Sequence, residues 1–230
     1  MKYLIALLLS CSTLMAVPPI GYNDPTIGGL IAWWTFNEVS GTKIYDYSGN
    51  NQIATITNFL GTPVDPIWTN GIVRNGLFVT NNTISFSSIT YDPTNYSSSF
   101  WIRPQTTGPV ANGYGPILRK SDGSAGIYWM PAYACLDIHD GVKFGGYRST
   151  YDIIPLNKWT FCALSNFNLY TNGVFAFAYT NILHSFLINN MAGDINEWLN
   201  GAYDDIRIYN RALSSDEILK LYNGGYGSQK

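Results

Sequence analysis

Apolar and polar positions alternate along Leu30–Asn37, with Leu30, Ala32, Trp34 and Phe36 on one side and Trp33, Thr35 and Asn37 on the other. A period of two is that of a strand with one buried face. The same period runs through Ala202–Asn210, setting Asp204, Ile206 and Ile208 on one face and Tyr203, Asp205, Arg207 and Tyr209 on the other. On this reading Asp204 points into the core, where a carboxylate demands hydrogen-bond donors or a cation. The pattern then turns helical. Ser214 with Glu217 forms a capping box, Leu213 can staple onto Ile218, and Gly224-Gly225 ends the helix. Between these ends, Ser99–Pro104, Pro116–Arg119, Leu156–Phe161 and Tyr170–Val174 read as further strands, separated by turn-forming runs such as Ser48-Gly49-Asn50-Asn51. Turns spaced about every 8 to 12 residues predict an antiparallel two-sheet sandwich.

The run from Gly201 to Ile218, G-A-Y-D-D-I-R-I-Y-N-R-A-L-S-S-D-E-I, resembles the closing motif of laminin-G-like domains in the concanavalin A-like lectin/glucanase superfamily. Trp34, Phe36, Asn37, Glu38, Gly41, Asp46, Ser48, Gly49 and Asn50 stand where that family's opening pattern has its residues. The Phe100-Trp101-Ile102-Arg103-Pro104 strand and the Tyr170–Val174 hairpin resemble its middle. The likeness implies an all-β, two-sheet antiparallel jelly roll, one sheet concave and one convex, with a short C-terminal helix and the Leu30 strand beside the Tyr203 strand. Ser165–Asn168 departs from the family's longer polar turn, which leaves the local register open. Such folds host binders, enzymes and structural modules, so function has to be read from the site.

At 230 residues, with 12% charged and 15% aromatic residues, the chain suits one β domain, placed at 30–223 with a flexible tail at 224–230. A net charge of -2 and the absence of a basic cluster exclude an electrostatic reason for nucleic acid binding. Residues 1–16 read as a secretory signal peptide, too short for a membrane span, and 17–29 as a linker. The expectation is a secreted protein, extracellular or at the cell surface; a lipid anchor at Cys11 is the alternative. Cys135 and Cys162 sit on candidate strands that flank a third, Val142–Tyr147, which favours two buried thiols over a disulfide.

Glu38, Asp46 and Asp204 share inward parity. Close like charges favour a cation between them, and an all-oxygen set suits calcium, which family members often bind near this edge. The expected ligands of a structural calcium are Asp46 and Asp204, then Asn51 and Glu38. Catalysis is not expected, because no strand carries paired carboxylates at glycosidase spacing and neither His139 nor His184 accompanies a nucleophile motif. Sugar recognition stacks apolar ring faces on aromatics beside a few polar groups. Residues 114–151 interleave Tyr114, Tyr128, Tyr133 and Tyr151 with acids and bases. With Leu136 and Ile138 inward, Tyr133 and Asp137 face outward, onto the concave sheet. The expected ligand set is Trp129, Tyr133, Asp137, Arg119, His139 and Tyr147. The function so read is a non-catalytic lectin-like module for carbohydrate or a cell-surface glycoconjugate. An adhesion or surface-assembly protein making protein contacts is the alternative, and a glycoside hydrolase stands third.

Overall fold

A computed structural model describes residues 26–105, 113–142, 146–180, 184–194 and 196–224. The segment expected to be a signal peptide, Cys11, most of the expected linker and nearly all of the expected tail lie outside the described residues. The strands are β1 (Leu30–Trp34), β2 (Lys43–Ile44), β3 (Ala54–Asn58), β4 (Ile67–Asn70), β5 (Asn75–Val79), β6 (Asn82–Tyr91), β7 (Ser97–Pro104) and β8 (Gly115–Arg119). They continue with β9 (Gly126–Met130), β10 (Cys135–His139), β11 (Tyr147–Arg148), β12 (Thr160–Ser165), β13 (Asn168–Thr171), β14 (Val174–Ala178), β15 (Phe186–Met191) and β16 (Gly201–Tyr209). One helix, α1 (Ser215–Tyr222), follows.

The strands form two antiparallel sheets, as a jelly roll requires. The first has the order β14-β13-β12-β7-β16-β5-β4, with β1 also on β16; the second runs β11-β10-β9-β8-β15-β6-β3-β2. β16 is the seam of the first sheet. β7 takes one edge, while β5 takes the other at Gly201–Tyr203 and β1 takes it at Ile206–Tyr209. The two ends of the domain meet there, as the sequence pattern predicts.

Between the sheets lies one apolar core, in which Trp34, Phe36, Ile56, Phe100, Ile102, Trp129, Leu136 and Ile206 are almost wholly buried. A second cluster, Trp101, Phe161, Tyr209, Leu213, Ile218 and Leu221, packs α1 onto the outer face of the first sheet. The capping box is present: Glu217 N–H donates to Ser214 Oγ at 3.3 Å and Ser214 N–H to Glu217 Oε2 at 2.8 Å.

The register left open at Ser165–Asn168 is set by a two-residue turn, with Asn166 at φ 46° and Phe167 at φ 64°. Two successive positive φ values match the right-handed twist of the strands they join, so β12 and β13 pair without a longer loop. Cys162 points into the core from the first sheet and Cys135 lies on the second; both are free. The thiol reading therefore holds, but because the cysteines belong to different sheets rather than to strands flanking a third.

Candidate functional site

The inward placement expected for Asp204 needs correction. Asp205 takes φ 48°, and β16 changes register against β7 between Asp204 and Arg207. This bulge resets the alternation, so Tyr203, not Asp204, joins Ile206 and Ile208 in the core. Tyr203 donates its hydroxyl to Pro116 O on the opposite sheet. Asp204 instead holds the β4–β5 turn, its Oδ2 accepting Ile72 N–H at 2.6 Å and Val73 N–H at 2.9 Å. Its Oδ1 is buried without a hydrogen-bond partner. Burial, followed by the neighbouring Asp205 charge, pushes the Asp204 carboxyl up to about 7 against two amides that lower it.

The other expected calcium ligands are likewise engaged one by one. Asp46 accepts Trp33 N–H, Ser48 N–H and Gln52 N–H, each at 2.9 Å, and the Ser48 hydroxyl at 2.8 Å. Four donors fill both of its oxygens. Glu38 Oε1 accepts Tyr45 N–H at 2.8 Å, and burial raises its carboxyl above the usual range. Asn51 is an exposed turn residue at φ 59°. Among the described residues no group of three or more His, Cys, Asp or Glu is placed to hold a metal. Asp46 and Asp204 are each engaged by backbone amides.

The expected ligand residues divide by face. In β9 and β10, Leu136 pairs with Trp129 and Asp137 with Tyr128. Directly opposed residues share a face, so an inward Leu136 forces Trp129 inward. Trp129 is 1% exposed and donates Nε1–H to Ile154 O at 3.3 Å. Tyr147 pairs with Ile138 and packs against the core for the same reason, its hydroxyl donating to Asp140 at 3.3 Å. Trp129 is thus a core residue, and Tyr147 lies partly buried against the core.

Tyr133, Asp137, Arg119 and His139 do gather on or beside the outer face of the second sheet, where four residues absent from the expected set join them. Tyr133 and Tyr151 stack at 4.8 Å between ring centroids, 37% and 55% exposed. The Arg148 guanidinium lies 4.7 Å over the Tyr133 ring. Next to this stack, His139 is met edge-on by Tyr114 and Tyr128, each at 5.1 Å. Burial, then the Asp137 charge, raises the Tyr114 hydroxyl. Asp137 is fully buried; it sits 3.5 Å from Arg148 and 3.6 Å from His139, and neither of its oxygens has a hydrogen-bond partner. Arg119, also buried, is spent on Asp194 at 2.5 Å and Glu197 at 3.4 Å.

Two large sheets, a helix on one outer face and a tyrosine-rich opposite face define a protein of the lectin-like jelly-roll class. The laminin G model of the concanavalin A-like lectin/glucanases superfamily matches residues 78–219, more than half of the chain, and the protein belongs to that superfamily. No curated protein matches it. Among solved structures it is similar to domain 4 of AbnA, a GH43 extracellular arabinanase from Geobacillus stearothermophilus solved with arabinotriose. Identity there is 19% and the TM-score 0.60, over 84% of this chain and 98% of that domain. It is also similar to the binding domain of Paraclostridial Mosquitocidal Protein 1 (20%, TM-score 0.62) and to the receptor-binding domain of botulinum neurotoxin type G (18%, TM-score 0.56). These matches cover 87% and 85% of this chain but only 53% and 51% of the toxin domains. A Trypanosoma rangeli sialidase is matched over 33% of its length at 13% identity and a TM-score of 0.55. At such identities the likeness is one of fold.

Proposed function

We propose that this protein is a secreted, non-catalytic carbohydrate-binding module that takes its glycan on the outer face of β9–β11. The observation that carries the reading is the exposed Tyr133–Tyr151 stack backed by Arg148. A sugar ring lies flat on such a platform, its apolar C–H face against the exposed Tyr151 ring. Arg148 pre-orders the stack, so little freedom is lost on binding. The arabinanase domain solved with arabinotriose has the same fold, which supports a sugar as the ligand. A glycan array with the purified protein, repeated with Tyr151→Ala, tests this. The parent should give defined hits that the variant loses while melting within about 2 °C of the parent, as an exposed substitution should. A blank array from folded parent, or hits untouched by Tyr151→Ala, would remove the site.

A second reading, protein contact through the jelly roll, draws on β14. This edge strand leaves Val174 and Phe175 66% and 56% exposed beside Leu219 at 44%, and no charge interrupts residues 168–178. Edge strands are usually blunted by charge or proline, and this one has neither.

A further inference from the structure

Resting on the glycan reading above, the charges around the tyrosine face narrow the kind of glycan. Asp137, Asp152, Asp194 and Glu197 surround that face, against two guanidiniums among the described residues, Arg119 and Arg148. Asp152 follows Tyr151 and donates its N–H to Tyr133 O at 2.9 Å. Glu197 is close enough to act on both Tyr114 and Tyr128. Each guanidinium is already paired with a carboxylate, Arg119 out of reach of solvent and Arg148 with 31% of its side chain exposed. Arg119 is 1% exposed, with NH2 on the more exposed Asp194 and NH1 on Glu197. Arg148 lies flat on Tyr133, directs Nε–H to the Met130 sulfur at 3.1 Å and turns NH2 toward Asp137. On the adjoining hairpin, Lys120 is paired with Asp122 at 2.6 Å.

Asp137 supplies the independent sign. It is a wholly buried carboxylate whose two oxygens lack hydrogen-bond donors, beside a His139 Nε2 that also lacks a partner. Gly146, at φ 63°, closes over both: a Cβ there would lie 2.6 Å from Asp137 Oδ1 and 2.6 Å from His139 Nε2. The backbone comes this close only because the residue is glycine. A buried carboxylate held by ion pairs at 3.5 and 3.6 Å, with no amide on it, keeps its charge in a low-dielectric layer close beneath the surface.

We infer that the tyrosine face selects glycans without acidic groups and turns away those carrying carboxylate or sulfate. Among the described residues an anionic sugar would meet four carboxylates and only two guanidiniums, both already paired with them, and like-charge juxtaposition of this kind is an effective device against wrong ligands. A hydroxyl-rich neutral sugar meets acceptors and ring faces.

The test is titration calorimetry with a matched pair, one neutral oligosaccharide and the same oligosaccharide oxidised to carry a carboxylate, at low and at physiological salt. The neutral form should bind at least about tenfold tighter at low salt, and the gap should shrink as salt screens the face. Asp152→Asn should narrow the gap at low salt, while Asp92→Asn, on another loop, should leave it unchanged. Equal or tighter binding of the carboxylated form would overturn the inference and leave the glycan site standing. No binding of either form, from a protein that melts cooperatively, would remove the glycan reading and this inference with it.

Discussion

Replacing Asp204 by Asn gives a prediction whose sign is fixed by the structure. In the folded protein the Asp204 carboxyl stands at about 7, against 3.8 for an ordinary aspartate, because burial penalises its charge more than two amides reward it. A carboxyl raised on folding binds its proton more tightly in the native state. The stability it contributes is therefore full below the unfolded value and is lost as pH rises from about 4 to about 7. Between about pH 5 and pH 8 this linkage corresponds to about 3 kcal/mol at most, and about half of that if the β4–β5 turn relaxes around the charge. For a domain of this size the parent should then melt roughly 3–10 °C higher at pH 5 than at pH 8. Asp92, Asp122, Asp194 and Glu217 have carboxyls held below their usual range. Their stabilisation is lost only as pH falls through the unfolded carboxylate range near 4 and below, so they do not mask the effect. Asp204→Asn removes the charge but keeps an oxygen for Ile72 and Val73. The variant should lose most of the pH dependence, leaving the same-signed contribution of Glu38, and at pH 8 it should be at least as stable as the parent. Thermal melts followed by circular dichroism across this range decide it. A parent that melts lower at pH 5 than at pH 8, or a variant crippled at pH 8, would show that the charge stabilises the fold and would refute the argument.

Three further outcomes follow from the placement of single residues. Millimolar calcium or a chelator should leave the melting temperature unchanged, since the Asp46 oxygens are filled by donors; a calcium-dependent rise abolished by Asp46→Asn would show a cation there. Trp129→Ala should cost about 3–5 kcal/mol as a core truncation. Calorimetry below its lowered melting point should still find near-parent glycan affinity, and selective loss of affinity would return Trp129 to the site. Ser214→Ala should cost about 1 kcal/mol through the lost cap, read from urea midpoints with an unchanged m-value.

What the sequence made legible was whatever depends on local period and local chemistry. The jelly roll, the pairing of the Leu30 strand with the last strand and the Ser214–Glu217 cap all belong to that kind. The outward parity of Asp137 does too, because Leu136 and Ile138 on either side leave it nowhere else to go. Asp204 was misplaced because a bulge costs one residue of alternation and leaves no mark in the sequence; Asp-Asp at 204–205 reads equally well with either member inward. Trp129 beside Tyr128 posed the same ambiguity, since two adjacent aromatics must take opposite faces and only the register with β10 says which is which. Arg148 and Tyr151 were present in the interleaved segment, but their stacking with Tyr133 joins β11 and its following loop to the turn before β10. That contact is tertiary, and no spacing along the chain encodes it.

The position of β16 carries a consequence for how the domain is made. The strand that binds β1, β5 and β7 together is later in the sequence than every other strand. Until it emerges from the ribosome, the first sheet is two fragments without a middle, and β1 has waited through some 170 residues for its partner. Such long-range pairing is slow to form and leaves unpaired edges open to other chains in the meantime. Synthesis of this protein should therefore be governed by what shields β5 and β7 during that interval, and a chain stopped just short of Gly201 should aggregate rather than fold to a smaller domain.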